Sequence, residues 1–114
     1  MTKLARKLRS EVKIQSATKT PNAQGGYDRG YTTIRRAFAG IKELSAIEIL
    51  NSKNAGSGAT ARITMRWDPD INPELFLLTV DENHPPRRFK VLSVLPVNRY
   101  EYIEITAEEI EIEE

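Results

Sequence analysis

His84 is the only side chain of this sequence with an ordinary pKa near neutrality, and it stands among turn formers, Asp81-Glu82-Asn83-His84-Pro85-Pro86. General-base work requires an imidazole held by a partner and aimed at a substrate, and the pattern around His84 offers neither, so an exposed turn histidine is expected. Cysteine is absent, which removes thiolate catalysis, thiolate metal sites and disulfides, and suits a reducing compartment. Asp68, Asp70, Asp81 and Glu82 are the residue types that hold calcium or magnesium, but their order is not that of a calcium-binding loop. Their simpler reading is as turn residues that cap their own backbone. No Gly-x-Ser-x-Gly, His-Glu-x-x-His, Walker or Gly-x-Gly-x-x-Gly pattern occurs. The expectation is a protein that is not an enzyme, with no cofactor and no metal.

Charge offers more. Arg35, Arg36, Arg62, Arg66, Arg87, Arg88 and Lys90, with Tyr27, Tyr31 and Phe38 as stacking surfaces, have the types needed for a single-stranded nucleic-acid groove. Against that, Arg62 and Arg66 alternate with Ile63, Met65 and Trp67 as the wet face of any half-buried strand does, and net charge is only +1. The signs are also segregated. Lys3, Arg6, Lys7, Arg9, Lys13 and Lys19 crowd the beginning, and Glu101, Glu104, Glu108, Glu109, Glu111, Glu113 and Glu114 the end. Opposite charges so placed steer association between subunits. Arg6, Lys7 and Arg9 facing Glu108, Glu109 and Glu111 are therefore the candidate inter-subunit contacts.

The elements that must position these residues follow from periodicity. At 114 residues the chain suits a single domain, 1–114, with a basic N-terminal segment 1–10 and an acidic C-terminal tail 107–114. No apolar run approaches the roughly 20 residues needed to cross a bilayer, and residues 1–9 lack the apolar stretch of a signal peptide. Leu4, Ala5 and Leu8 predict at most a short amphipathic turn over 2–10. Val12 and Ile14 alternate with Lys13 and Gln15, predicting a strand over 11–18, and 20–26 is turn chemistry. A strand is expected over 31–41, with a bulge at Gly40. Residues 44–50 have helical spacing. Residues 51–60, carrying Asn51, Lys53, Asn54, Gly56 and Gly58, read as a long flexible loop and as the candidate segment that orders on assembly. Ile63, Met65 and Trp67 alternate with Arg62, Thr64 and Arg66, so a strong strand is expected over 59–67 with a largely buried Trp67. Further strands are expected over 75–80, 89–97 and 100–112. The sum is an all-β fold, a small antiparallel barrel or sandwich of about six strands with a short helical segment.

Several of these pieces recur in one order: Leu8-Arg9-Ser10-Glu11-Val12-Lys13-Ile14-Gln15, Gly25-Gly26-Tyr27, Phe38-Ala39-Gly40-Ile41, Ile63-Thr64-Met65-Arg66-Trp67, Phe89-Lys90-Val91 and Tyr102-Ile103-Glu104-Ile105. In this the chain resembles the tailed-bacteriophage head-tail joining family, which includes head-closure stoppers and head-tail adaptors. The resemblance implies a β-barrel subunit of the virion, made in the host cytoplasm. It also implies a homo-oligomeric ring below the portal or adaptor protein that closes the DNA-filled head and offers a surface to a tail-completion or tail-terminator protein. In that setting residues 51–60 would line or plug the channel, with non-specific contact to packaged DNA and none to membrane. The other readings are a small single-stranded nucleic-acid-binding barrel and a minor tail-completion protein.

Overall fold

The computed structural model describes residues 8–112. Arg6, Lys7, Glu113 and Glu114 lie outside the described residues, as does most of the amphipathic turn expected over 2–10. Six strands and one helix follow in order: β1 (Ser10–Pro21), β2 (Tyr27–Glu43), α1 (Ala46–Asn54), β3 (Ala61–Arg66), β4 (Leu75–Val80), β5 (Arg88–Val97) and β6 (Tyr102–Ile110). Every pairing is antiparallel, and the order β1-β2-β3-β6-β5-β4 returns to β1, closing the sheet into a barrel.

Alternation builds the interior. Val12 and Ile14, Ile63 and Met65, Phe89 and Val91, and Ile103 and Ile105 all point inward and are essentially inaccessible, joined by Ala39, Leu77 and Ala107. One rung runs Ile41 to Ile63 to Ile105 across β2, β3 and β6. Burying each large aliphatic or aromatic side chain contributes about 1.5–3 kcal/mol. Ile71 and Leu75, from the connection before β4 and its first residue, complete the core.

Two strands are longer than periodicity alone predicts. Pairing of β1 with β4 stops at Ser16 opposite Leu75, yet β1 and β2 stay paired out to Pro21 opposite Tyr27. A two-stranded arm therefore extends past the barrel. At its tip the Asn22 carboxamide oxygen accepts from the backbone N–H groups of Gln24 and Gly26, and Gly25 takes φ +81°.

The bulge expected at Gly40 is not there, since Gly40 pairs in register with Thr64. The irregularities fall instead at Ile34, the extra residue between the Ile14–Arg35 and Gln15–Thr33 pairs, and at Leu92, between Val91–Ala107 and Ser93–Thr106. An extra residue bends and twists its strand; Ile34 sits where β2 passes from arm to barrel body.

Trp67 also departs from expectation. β3 ends at Arg66, so Trp67 leaves the alternation that buries Met65 and remains 44% exposed. Its ring meets Tyr100 edge-on at a centroid distance of 5.5 Å. Tyr100 belongs to the β5–β6 turn, where Asn98, Arg99 and Tyr100 all have positive φ, a conformation uncommon for non-glycine residues.

Candidate functional site

The excursion between β2 and β3 carries α1. Ser45 caps α1: its hydroxyl accepts from the Glu48 N–H, and the Glu48 carboxylate accepts from the Ser45 N–H, both at 3.2 Å. That backbone bond from Ser45 holds the Glu48 carboxyl below its usual pKa. At the other end Gly56 donates to the Lys53 carbonyl (3.0 Å) and Ser57 to that of Ser52 (2.8 Å), with Gly56 at φ +84°. This is the helix stop that glycine makes easiest. The expected flexible loop over 51–60 is accordingly corrected: Asn51, Lys53 and Asn54 are helical, and 55–60 alone connects α1 to β3.

The connection is fastened to β6. Thr60 donates its N–H to the Ala107 carbonyl (2.9 Å), and its hydroxyl accepts from the Glu109 N–H (2.8 Å). The Leu44 N–H reaches the Thr60 carbonyl at 3.0 Å. Gly58 passes so close to Glu108 that a Cβ would overlap its carboxylate. α1 itself buries none of its side chains, and Ile47 and Leu50, one turn apart, are 72% and 58% exposed. A helix gains most of its stability in proteins from packing an apolar face; here end caps and the anchored connection hold α1 while that face stays open.

Beside this excursion an ion-pair cluster closes the same end of the barrel. Arg87 lies 5.1 Å above the Phe89 ring centroid and grips the Glu109 carboxylate with two bonds (3.0 and 2.7 Å), while its Nη2 also reaches Glu43 at 2.5 Å. The hydrogen bond to Glu109 raises the Arg87 pKa further, and Arg87 in turn holds the Glu109 carboxyl below its ordinary range. An open groove of about 800 Å³ adjoins, lined by Arg9, Glu11, Phe38, Glu43, Asp81 and His84 among others.

The arginines do not form a free cationic stripe. Arg35 pairs with Asp68, Arg36 with Glu11 (3.0 Å) and Arg62 with Glu104 (3.1 Å). Arg88 stacks 3.7 Å from the Tyr31 centroid and donates to Gln15 at 3.4 Å, so Tyr31 is already occupied by its own chain. The turn carboxylates do cap backbone: Asp68 accepts from the Asp70 N–H and Asp81 from that of Asn83. His84 is exposed but has a partner that its neighbourhood in sequence did not single out, the Asp81 carboxylate 2.6 Å from Nδ1. Among the described residues no group of three or more metal-ligating side chains gathers, and no helix is long and apolar enough to span a membrane.

The acidic tail expected from 107 onward starts later, because β6 runs to Ile110. Glu108 and Glu109 thus lie in the sheet, Glu108 beside Gly58 and Glu109 paired with Arg87, while Glu111 and Arg9 are exposed. The spacing Ser45-x-x-Glu48 and the glycine at 56 were the available signals for a capped helix, and the low content of core residues after Leu50 masked them.

A family model described as phage head completion protein matches residues 4–110. No curated protein sequence matches the chain. Among solved structures it is similar to the solution structure of protein SF1141 from Shigella flexneri 2a, at 22% identity and a TM-score of 0.69 over 90% of this chain and 93% of that one. It is also similar to a chain of the virion of a native gene transfer agent particle, at 18% identity and a TM-score of 0.50 over 90% of this chain and 96% of that one.

Proposed function

The chain belongs to the phage head completion protein family, structural proteins of the virion, and on that premise we propose that it forms a homo-oligomeric ring below the portal or adaptor protein, closes the DNA-filled head and presents the surface to which a tail-completion or tail-terminator protein attaches. The observation that carries this reading is α1: a helix capped at both ends and anchored through Thr60 to β6, yet with Ile47 and Leu50 uncovered. Exposed apolar side chains on a held element mark a surface made for contact.

In the ring, the segment 51–60 faces the channel, with Asn51, Lys53 and Asn54 on α1 and Gly56 and Gly58 in the connection. It retains packaged DNA by sterics and touches it without sequence preference. Arg6, Lys7 and Arg9 meet acidic groups of a neighbouring subunit. Of the three acidic residues expected there, Glu109 is already held by Arg87 of its own chain, while Glu111 is exposed.

Heads completed with a variant in which residues 51–58 are replaced by a short glycine-serine link test the reading. DNA loss from heads that still incorporate the variant supports the channel role; full retention in such heads overturns it.

A further inference from the structure

Among the described residues three strand edges run on past their neighbours: that of β1 on its β4 side beyond Ser16, and two longer ones on β2 and β5. The β2 edge that faces β3 is unpaired along the arm, because the β2–β3 ladder begins only at Ala39. The β5 edge that faces β4 is unpaired beyond Lys90, because β4 contributes three pairs, Phe76–Lys90, Leu77–Phe89 and Leu78–Arg88. No backbone hydrogen bond from a turn or loop reaches either stretch among the described residues. Such edges are templates for pairing with another chain.

Their placement says which chain. In the ring order β1-β2-β3-β6-β5-β4, β2 and β5 are separated by two strands in either direction, so the two longer open edges lie on opposite sides of the barrel. Two different edges on opposite sides make a head-to-tail contact, the kind that repeats into a ring when the rotation closes. Pairing β2 with β2 would stop at a dimer and leave the β5 edge bare. The side chains agree: Tyr31, Thr32, Thr33 and Ile34 are strand-forming types and exposed, and Ile34 and Leu95, beside the two edges, are 54% and 61% exposed.

We propose that copies of this chain join by β-augmentation, a stretch of about five residues within 27–34 of β2 in one copy pairing along residues 91–95 of β5 in the next. This deepens the ring reading above and rests on it. Pro96, which has no N–H to give, ends the ladder on β5, and proline at that point is the usual guard against indefinite strand addition. The arm is then the reaching element, and the gap left by the short β4–β5 ladder is its socket.

The chain has no cysteine of its own, so introduced pairs report cleanly. Thr32→Cys and Ile34→Cys are each combined with Ser93→Cys and Leu95→Cys, four double variants that bracket the register, and heads carrying them are oxidised mildly. A disulfide forms only where Cα atoms approach to about 4.4–6.8 Å. At least one double variant is expected to lose its monomer band to a ladder of covalent multiples, while each single variant gives dimer at most. Variants that join heads normally, yet never pass dimer in any of the four pairs, overturn the augmentation and leave the head role standing. Wild-type chain that fails to join heads overturns the head role and this inference together.

Discussion

The carboxylate of Glu108 rests against the α-carbon of Gly58, so a strand end that the charge pattern assigned to subunit contacts and a glycine assigned to a channel loop are neighbours within one chain. The excursion carrying α1 is therefore built onto β6 rather than hung between β2 and β3. Its two glycines hold different parts of that arrangement and respond differently to substitution.

Gly56→Ala is expected to destabilise the protein or its helix by about 1 kcal/mol, because φ +84° is a left-handed conformation that costs an L-residue roughly 1–2 kcal/mol. Gly58→Ala is expected to cost less, since the group it meets is the far end of a flexible glutamate that can swing into water. Urea denaturation of the two variants compares them, and equal losses would contradict this.

Removing the helix cap acts locally. Ser45→Ala loses the hydroxyl that accepts from Glu48 and is expected to weaken α1 by about 1 kcal/mol. Because α1 buries none of its side chains, the barrel's melting temperature should barely move, while amide exchange at Glu48 and Ile49 accelerates severalfold. A large fall in melting temperature would mean that α1 is part of the core's cooperative unit.

Trp67 and Phe89 separate surface from core. Phe89→Ala is expected to cost about 3–5 kcal/mol, as buried aromatic truncations do. Trp67→Ala, which removes a 44% exposed ring and one edge contact with Tyr100, should cost about 1–2 kcal/mol. Chemical denaturation of both variants orders them, and the reverse order would contradict the burial described.

Acid should loosen the ion-pair end. Arg87 depresses the Glu109 pKa in the folded state, so this pair's contribution is present above the unfolded carboxylate range and is lost as pH falls through the lower, folded value. Both side chains are more than a third exposed, so the contribution is about 0.5–1 kcal/mol and shrinks with salt. Arg87→Met should narrow the stability difference between pH 7 and pH 3; an unchanged difference would show that the pair adds nothing.

Most of the barrel was legible because half-buried strands write a period of two, as in Ile63-Thr64-Met65 and Ile103-Glu104-Ile105. That signal fails where a strand leaves the barrel. Residues 27–30 and 19–21 form the arm without an inward face, and Trp67 continues an alternation after the ladder has stopped. The bulges at Ile34 and Leu92 are set by closure of the sheet, which no local pattern records. The candidate site was less legible still, because α1 is held by a capping box and a glycine stop rather than by an apolar stripe. The Arg87 partner Glu109 is 22 positions away, and Gly58 and Glu108, which lie side by side, are 50 apart.

The most direct measurement is mass determination in solution of the chain alone and then mixed with purified, DNA-filled, tailless heads of its own phage. The chain is expected to join those heads as an oligomer at a single site per particle and to slow their loss of DNA. A chain that ignores the heads and instead binds single-stranded DNA as a monomer would contradict this.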